Sequence, residues 1–233
     1  GYDCTAGVCK KSRGASCAVD TECTSGFCTD NVCCEARCAG SCEKCNQAGR
    51  AGFCDAVPAG QDPDGECPQD SSSTCNRTGQ CSGARTCALY SSGTVCAAAS
   101  CTGNIATLAD TCDGNGFCAD AGTRDCSPYR CNAATSACKT TCAVSSDCVT
   151  GFDCVAGICK KAQGSACTAD TECGSGFCTD GVCCDARCAG ACEKCNQTAR
   201  VGFCDPVPNG QDPDDECATD PTSSCGRSGS CGG

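Results

Sequence analysis

The chain contains no histidine, no methionine and no tryptophan. Without histidine it lacks the general base of Ser-His-Asp and Cys-His arrangements and the commonest neutral metal ligand. Large apolar residues are also scarce. Val, Ile and Leu together number 15 and Phe adds 6, in 233 residues. That is well below the roughly 20% under which a chain is expected to stay disordered. No apolar run approaches the ~20 residues needed to cross a bilayer. A chain of this length ordinarily builds one or two domains around apolar cores. This one has too few side chains for such a core, or for the low-dielectric walls that tune a catalytic carboxylate pair. We expect no enzyme. Basic residues are outnumbered, 17 Lys and Arg against 28 Asp and Glu, for a net charge of −11. Phosphate backbones and anionic membrane surfaces are bound through clustered Lys and Arg, so nucleic acid and membrane insertion are not expected.

What the chain has instead is 38 cysteines. Cross-links, each worth ~2–4 kcal/mol, must replace the missing core. Such a framework persists in oxidising compartments, so we expect a secreted or cell-surface protein. No signal peptide and no initiating Met are visible, which reads as a mature product or an excerpt. A thiolate metal cluster is not expected, because no C-x-C occurs and the cysteines are evenly spread.

The stretch that organises the chain is residues 17–54, which returns 150 positions later as residues 167–204 without insertion or deletion. Residues 1–83 and 151–233 share 55 of 83 positions, including all fourteen cysteines of the first segment. Near-exact long repeats mark arrays of stacked units. We read residues 1–150 as one repeat unit, with submodules at about 1–16, 17–33, 34–74 and 75–141. Residues 142–233 are a further knot-like module plus part of a second unit. The expected fold is small and disulfide-rich: an elongated tandem array of short β-hairpin and loop modules, almost without helix and without a large hydrophobic core.

Residues 142–159, 167–183 and 17–33 share the pattern C-x5-C-x4/5-C-x4-C. The closing C-x4-C predicts a two-residue hairpin, with Asp180-Gly181, Asp30-Asn31, Ala6-Gly7 and Ala156-Gly157 supplying the positive φ of a type I′ turn. Such a turn sets two cysteines side by side, facing two upstream ones. Of three possible connectivities we favour first-to-third and second-to-fourth: Cys17–Cys28, Cys23–Cys33, Cys142–Cys154, Cys148–Cys159, Cys167–Cys178 and Cys173–Cys183. Cys4 and Cys9 then have no local partners, and Cys231 matches Cys81, whose downstream neighbour Cys87 has no counterpart. These three are expected to pair beyond residues 1–233, in a longer repetitive polypeptide or in another molecule. Residues 75–81 and 112–118 read as C-x5-C hairpin-like pieces, and residues 104–110 (NIATLAD) as the one short helical turn.

Other motifs are weaker. Cys42-Glu-Lys-Cys45 and its copy Cys192-Glu-Lys-Cys195 lack the βαβ context of a redox pair and read as structural. Asp62, Asp64 and Glu66, with Asp212, Asp214 and Glu216, alternate along an extended Pro/Gly segment. They read first as a turn and second as oxygen ligands for a calcium cofactor. Asn76-Arg-Thr78 and Asn196-Gln-Thr198 are N-glycosylation sequons. The aromatics recur beside cysteines and are expected to pack on disulfides.

The pattern C-x5-C-x4-G-F-C-x4-CC resembles Dickkopf/colipase-like cysteine-rich repeats over about 18 residues. Residues 125–148, 171–184 (DTECGSGFCTDGVCC), 188–196 (CAGACEKCN) and 202–217 are similar to cysteine-rich repeats of large secreted proteins from myxobacteria and related deltaproteobacteria. That resemblance covers most of the unit. It implies a secreted or surface location and carries no catalytic residue. We expect a structural role through self-association into a filament or array, as a segment of a secreted fibre or cell-surface stalk. The alternative is an adhesin or ligand-binding module array that takes a surface glycan or protein ligand.

Overall fold

The computed structural model describes residues 1–224 and 226–232. Its ladders are all antiparallel and short, forming eight two-stranded and two three-stranded sheets. The helical elements among the described residues are five three-residue 3-10 turns, such as Asp20–Glu22 and Asp170–Glu172. The fold is therefore a disulfide-rich array of small hairpins and loops.

The tight hairpins follow from their turn residues. Cys28–Thr29 pairs with Val32–Cys33 across Asp30 (φ 53°) and Asn31 (φ 61°). Cys178–Thr179 pairs with Val182–Cys183 across Asp180 (φ 52°) and Gly181 (φ 75°). Tyr2–Thr5 with Val8–Lys11, and Phe152–Val155 with Ile158–Lys161, turn in the same way. Two positive φ values match the strand twist, which is why these two-residue loops close without splaying.

Two expectations for residues 75–138 are corrected. Residues 104–110 form no helical turn: Ile105–Thr107 is the middle strand between Ser100–Thr102 and Thr123–Asp125, and Asp110–Cys112 begins another sheet. β-branched Ile105 and Thr107 favour a pleated strand, and Gly103 at φ 62° makes the turn that enters it. Residues 75–81 are not a self-contained hairpin, because Arg77–Cys81 pairs with Cys87–Leu89. Residues 112–118 do close on themselves, with Cys112 opposite Cys118.

Among the described residues there is no continuous core. The buried hydrophobic residues are all cysteines except Val57, Ala106 and Val207, and no polar side chain among the described residues is buried. They fall into small clusters, each centred on one or two disulfides. The chain divides into two compact units, residues 1–98 with 109–122 and residues 99–108 with 123–233. These units are a different division from the 150-residue sequence repeat. Each unit contains one copy of the repeated stretch, with the same strands, the same 3-10 turns and the same cross-links.

Candidate functional site

Eighteen disulfides join the described residues. Three modules carry crossed pairs: Cys17–Cys28 with Cys23–Cys33, Cys142–Cys154 with Cys148–Cys159, and Cys167–Cys178 with Cys173–Cys183. Cys4 and Cys9 are bonded to each other, contrary to the expectation of distant partners. They face one another across the Tyr2–Thr5 hairpin. In the copy, the equally opposed Cys154 and Cys159 are instead taken by Cys142 and Cys148. Cys231 is likewise bonded, to Cys192. Its counterpart Cys81 reaches back to Cys42, while Cys87 takes Cys67. The unpaired cysteine among the described residues is Cys217. Neither C-x-x-C closes on itself: Cys42 pairs with Cys81 and Cys45 with Cys34, and the copy does the same.

Each crossed module is fastened by one carboxylate just before its second cysteine. Glu22 accepts from Lys11 Nζ and from the Ala18 N–H, both at 2.9 Å. Glu172 accepts from Lys161 Nζ at 2.9 Å and from the Thr168 N–H at 3.0 Å. Asp147 binds Lys139 and the Ala143 N–H in the same manner. The lysine hydrogen bond, and then the backbone N–H, hold Asp147 and Glu172 down to about 2 and lower Glu22 as well. A carboxylate lowered in the folded state adds stability above its unfolded pKa, near 4, and loses it as pH falls through its folded value. The Asp147 and Glu172 clamps are therefore expected to hold at pH 5 and to release between about pH 4 and pH 2, and the Glu22 clamp to release below the ordinary carboxylate range. Carboxyl NMR titration should give midpoints near 2 for Asp147 and Glu172, with amide exchange around residues 143–148 and 168–173 rising in step. Midpoints near 4 would show that the clamps do not form.

The alternating acidic segment is used for local structure. Asp62 accepts from the N–H groups of Glu66 at 3.0 Å and Cys67 at 2.9 Å. Asp64 pairs with Lys44 at 2.8 Å, and Glu66 caps the Cys42 N–H at 2.8 Å. The copy repeats the first two: Asp212 caps Glu216 and Cys217, and Asp214 pairs with Lys194 at 2.6 Å. Because the carboxylates of Asp62, Asp64, Glu66, Asp212 and Asp214 already accept from local donors, a calcium chelator is expected to leave thermal stability and protease resistance unchanged. A drop restored by added calcium would place an ion there. At the sequons Asn76 and Asn196 are exposed, although the Asn196 amide donates to the Asp180 carbonyl at 3.1 Å.

The aromatics divide. Tyr90, Tyr129 and Phe152 pack on disulfide clusters. Phe53 instead lies beneath Arg13 at 4.0 Å and Arg50 at 4.9 Å. Arginines also cover Phe27, Phe177 and Phe203.

Outside the cross-links, one concave feature occurs in both copies. Lys44, Gln47, Val57, Pro58, Gln61 and Pro63 line a cleft of about 430 Å³. Lys194, Gln197, Val207, Pro208, Gln211 and Pro213 line its counterpart of about 410 Å³. Val57 and Val207, 2% and 3% exposed, floor the clefts beside their disulfides. Gln47 and Gln197 fix one wall by donating to the carbonyls of Asp55 and Asp205 at 3.2 and 2.9 Å. The ionisable lining residue is the lysine, held by its aspartate, and that hydrogen bond raises the Lys194 pKa. The clefts offer amides, a lysine and proline faces. Cysteine counting passed over these residues, although all six are identical at the 150-residue offset. Among the described residues, no helix is long and apolar enough to cross a membrane. Comparison of the chain with family models, with curated proteins and with solved structures finds no match.

Proposed function

We propose that this chain is a structural segment of an extracellular, disulfide-cross-linked fibre or cell-surface stalk. The coarser statement, a cysteine-rich hairpin array matured outside the reducing cytoplasm, follows from eighteen disulfides among the described residues. One observation carries the finer reading. The residues that the two copies keep identical go chiefly into cross-links, turns and caps, with little left for chemistry. Identical modules at a fixed offset present identical surfaces, which favours open, regular self-association. Negative-stain electron microscopy of native material tests it: uniform filaments support the reading, and dispersed monomers oppose it.

A second reading has an observation of its own. The repeated cleft at Gln47 and Gln197 has the size of a ligand site. In that reading the array is an adhesin or ligand-binding protein that takes a glycan or an extended peptide segment. Monomers that bind a cell surface, and lose that binding in a Gln47→Ala, Gln197→Ala double variant, would favour it.

A further inference from the structure

The two clefts floored by Val57 and Val207 share polar groups that the fold does not use. Gln47 spends both Nε2 hydrogens on the Asp55 and Ala56 carbonyls, and Gln197 spends them on the Asp205 and Pro206 carbonyls. Each amide oxygen is left as an acceptor without a donor among the described residues. Asn46 donates to the Asp30 carbonyl and Asn196 to the Asp180 carbonyl, both at 3.1 Å, and their side-chain oxygens are left in the same way. Gln61 and Gln211 are exposed, and among the described residues their side chains make no hydrogen bond. Neither fastens the fold, yet both copies carry glutamine there.

The same lining disfavours other ligands. Its lysine is matched within the chain, Lys44 by Asp64 at 2.8 Å and Lys194 by Asp214 at 2.6 Å. A charged ligand would meet no spare counter-charge, and would lose its hydration on entering. Main-chain donors are closed as well. The Val57 N–H donates to the Cys42 carbonyl and the Gln61 N–H to the Pro58 carbonyl, with the same bonds at Val207 and Gln211. Pro58, Pro63 and their counterparts Pro208 and Pro213 have no N–H. A peptide strand joins a partner through main-chain hydrogen bonds, and the donors at these four positions are spent or missing.

What remains is a neutral surface of side-chain amides beside proline faces, in a volume at the lower end of the ~300–1,000 Å³ of small-ligand sites. A sugar hydroxyl donates and accepts at once, which suits amides that offer both. The C–H face of a sugar ring gains dispersion contact from an apolar wall. Taking the repeated cleft as a ligand site, as in the second reading above, we infer that each copy binds a neutral saccharide. Gln47 and Asn46 accept from its hydroxyls, Gln61 donates to or accepts from a further one, and Pro58 and Pro63 lie against the ring. Gln197, Asn196, Gln211, Pro208 and Pro213 do the same in the second copy.

The test applies the oxidised 233-residue chain to an array of neutral, sialylated and sulfated oligosaccharides. The array carries protein-linked glycans and polysaccharide fragments, so the members bound identify the source. A Gln61→Ala, Gln211→Ala double variant is run beside it, because those side chains hold no part of the fold and the variant should keep native amide dispersion. Neutral members are expected to bind, acidic ones more weakly, and the double variant to lose about tenfold per cleft, the effect of one net hydrogen bond. Titration with a bound sugar should shift the side-chain amide NMR signals of Gln47, Gln61, Gln197 and Gln211. No neutral member bound, a preference for acidic members, or full binding by the double variant would overturn the inference. If cell-surface binding is lost in the Gln47→Ala, Gln197→Ala variant while no saccharide binds, the cleft remains a ligand site and the saccharide is wrong. If neutral saccharides bind but monomers do not bind cells, the saccharide stands and the adhesin reading falls.

Discussion

Full reduction, with the thiols alkylated, is expected to abolish the fold at room temperature without added denaturant. Amide dispersion should collapse, and the chain should expand to the dimensions of a denatured polymer of its length. The reason lies in what is buried. Take away the cysteines and the buried hydrophobic residues among those described are Val57, Ala106 and Val207. Three such side chains cannot offset the entropy of ordering a chain of this size. The ladders are mostly two to five residues long, and an isolated two-stranded hairpin is marginal in water. Ion pairs do not rescue it, because exposed pairs contribute little. Each small cluster is closed by its own one or two disulfides, so loss of native structure should proceed cluster by cluster as bonds are cut rather than show one sharp transition. Persistent native-like dispersion after complete alkylation would mean that side-chain packing, not cross-linking, holds the modules.

The largest effect expected of a single substitution is that of Gly52→Ala, matched by Gly202→Ala in the copy. Gly52 has φ 94°, and a Cβ there would lie 2.5 Å from the Gly14 nitrogen. That nitrogen cannot retreat, because it donates to the Cys33 carbonyl at 2.8 Å. Gly52 is itself held, donating to Cys45 and accepting from Glu35. Gly202 repeats this geometry, with φ 94° and the same 2.5 Å to the Gly164 nitrogen. Backbone strain of this kind costs of order 1–3 kcal/mol before the steric clash is added. Gly26 is the control: its φ is also positive, at 78°, but nothing lies within 4 Å of its would-be Cβ. Gly26→Ala should cost only about 1 kcal/mol. Denaturant unfolding with disulfides intact, together with the yield of oxidative refolding, should separate the two variants clearly. Equal effects would show that the close approach of residues 14 and 52 does not constrain the module.

The hairpin architecture was legible because it rests on local chemistry. Asp30-Asn31 and Asp180-Gly181 demand a tight turn, and a tight turn puts Cys28 beside Cys33 and Cys178 beside Cys183. The bonds of residues 34–87 were not legible, because they join strands distant in sequence. Cys81 lies opposite Cys87 in the ladder yet bonds to Cys42, 39 residues away. For the same reason the spacing left Cys231 without a partner, whereas the unpaired thiol among the described residues is Cys217. The short strand Ile105–Thr107 was read as a helical turn because its pairing partners lie on either side of it in a three-stranded sheet. The recurring cleft was visible only as non-cysteine identity between copies, at Gln47, Pro58 and Gln61. That signal is drowned when cysteines dominate the alignment.

The claim on which the account rests is that covalent pairing, repeated at an offset of 150 residues, is the fold. Non-reducing proteolysis of native material with mass spectrometry of the linked peptides tests it most directly. The account predicts Cys42–Cys81 with Cys67–Cys87 in the first copy, Cys192–Cys231 in the second, and crossed pairs in all three four-cysteine modules. Recovery of Cys81 linked to Cys87, or of different pairings in the two copies of residues 17–54, would contradict it.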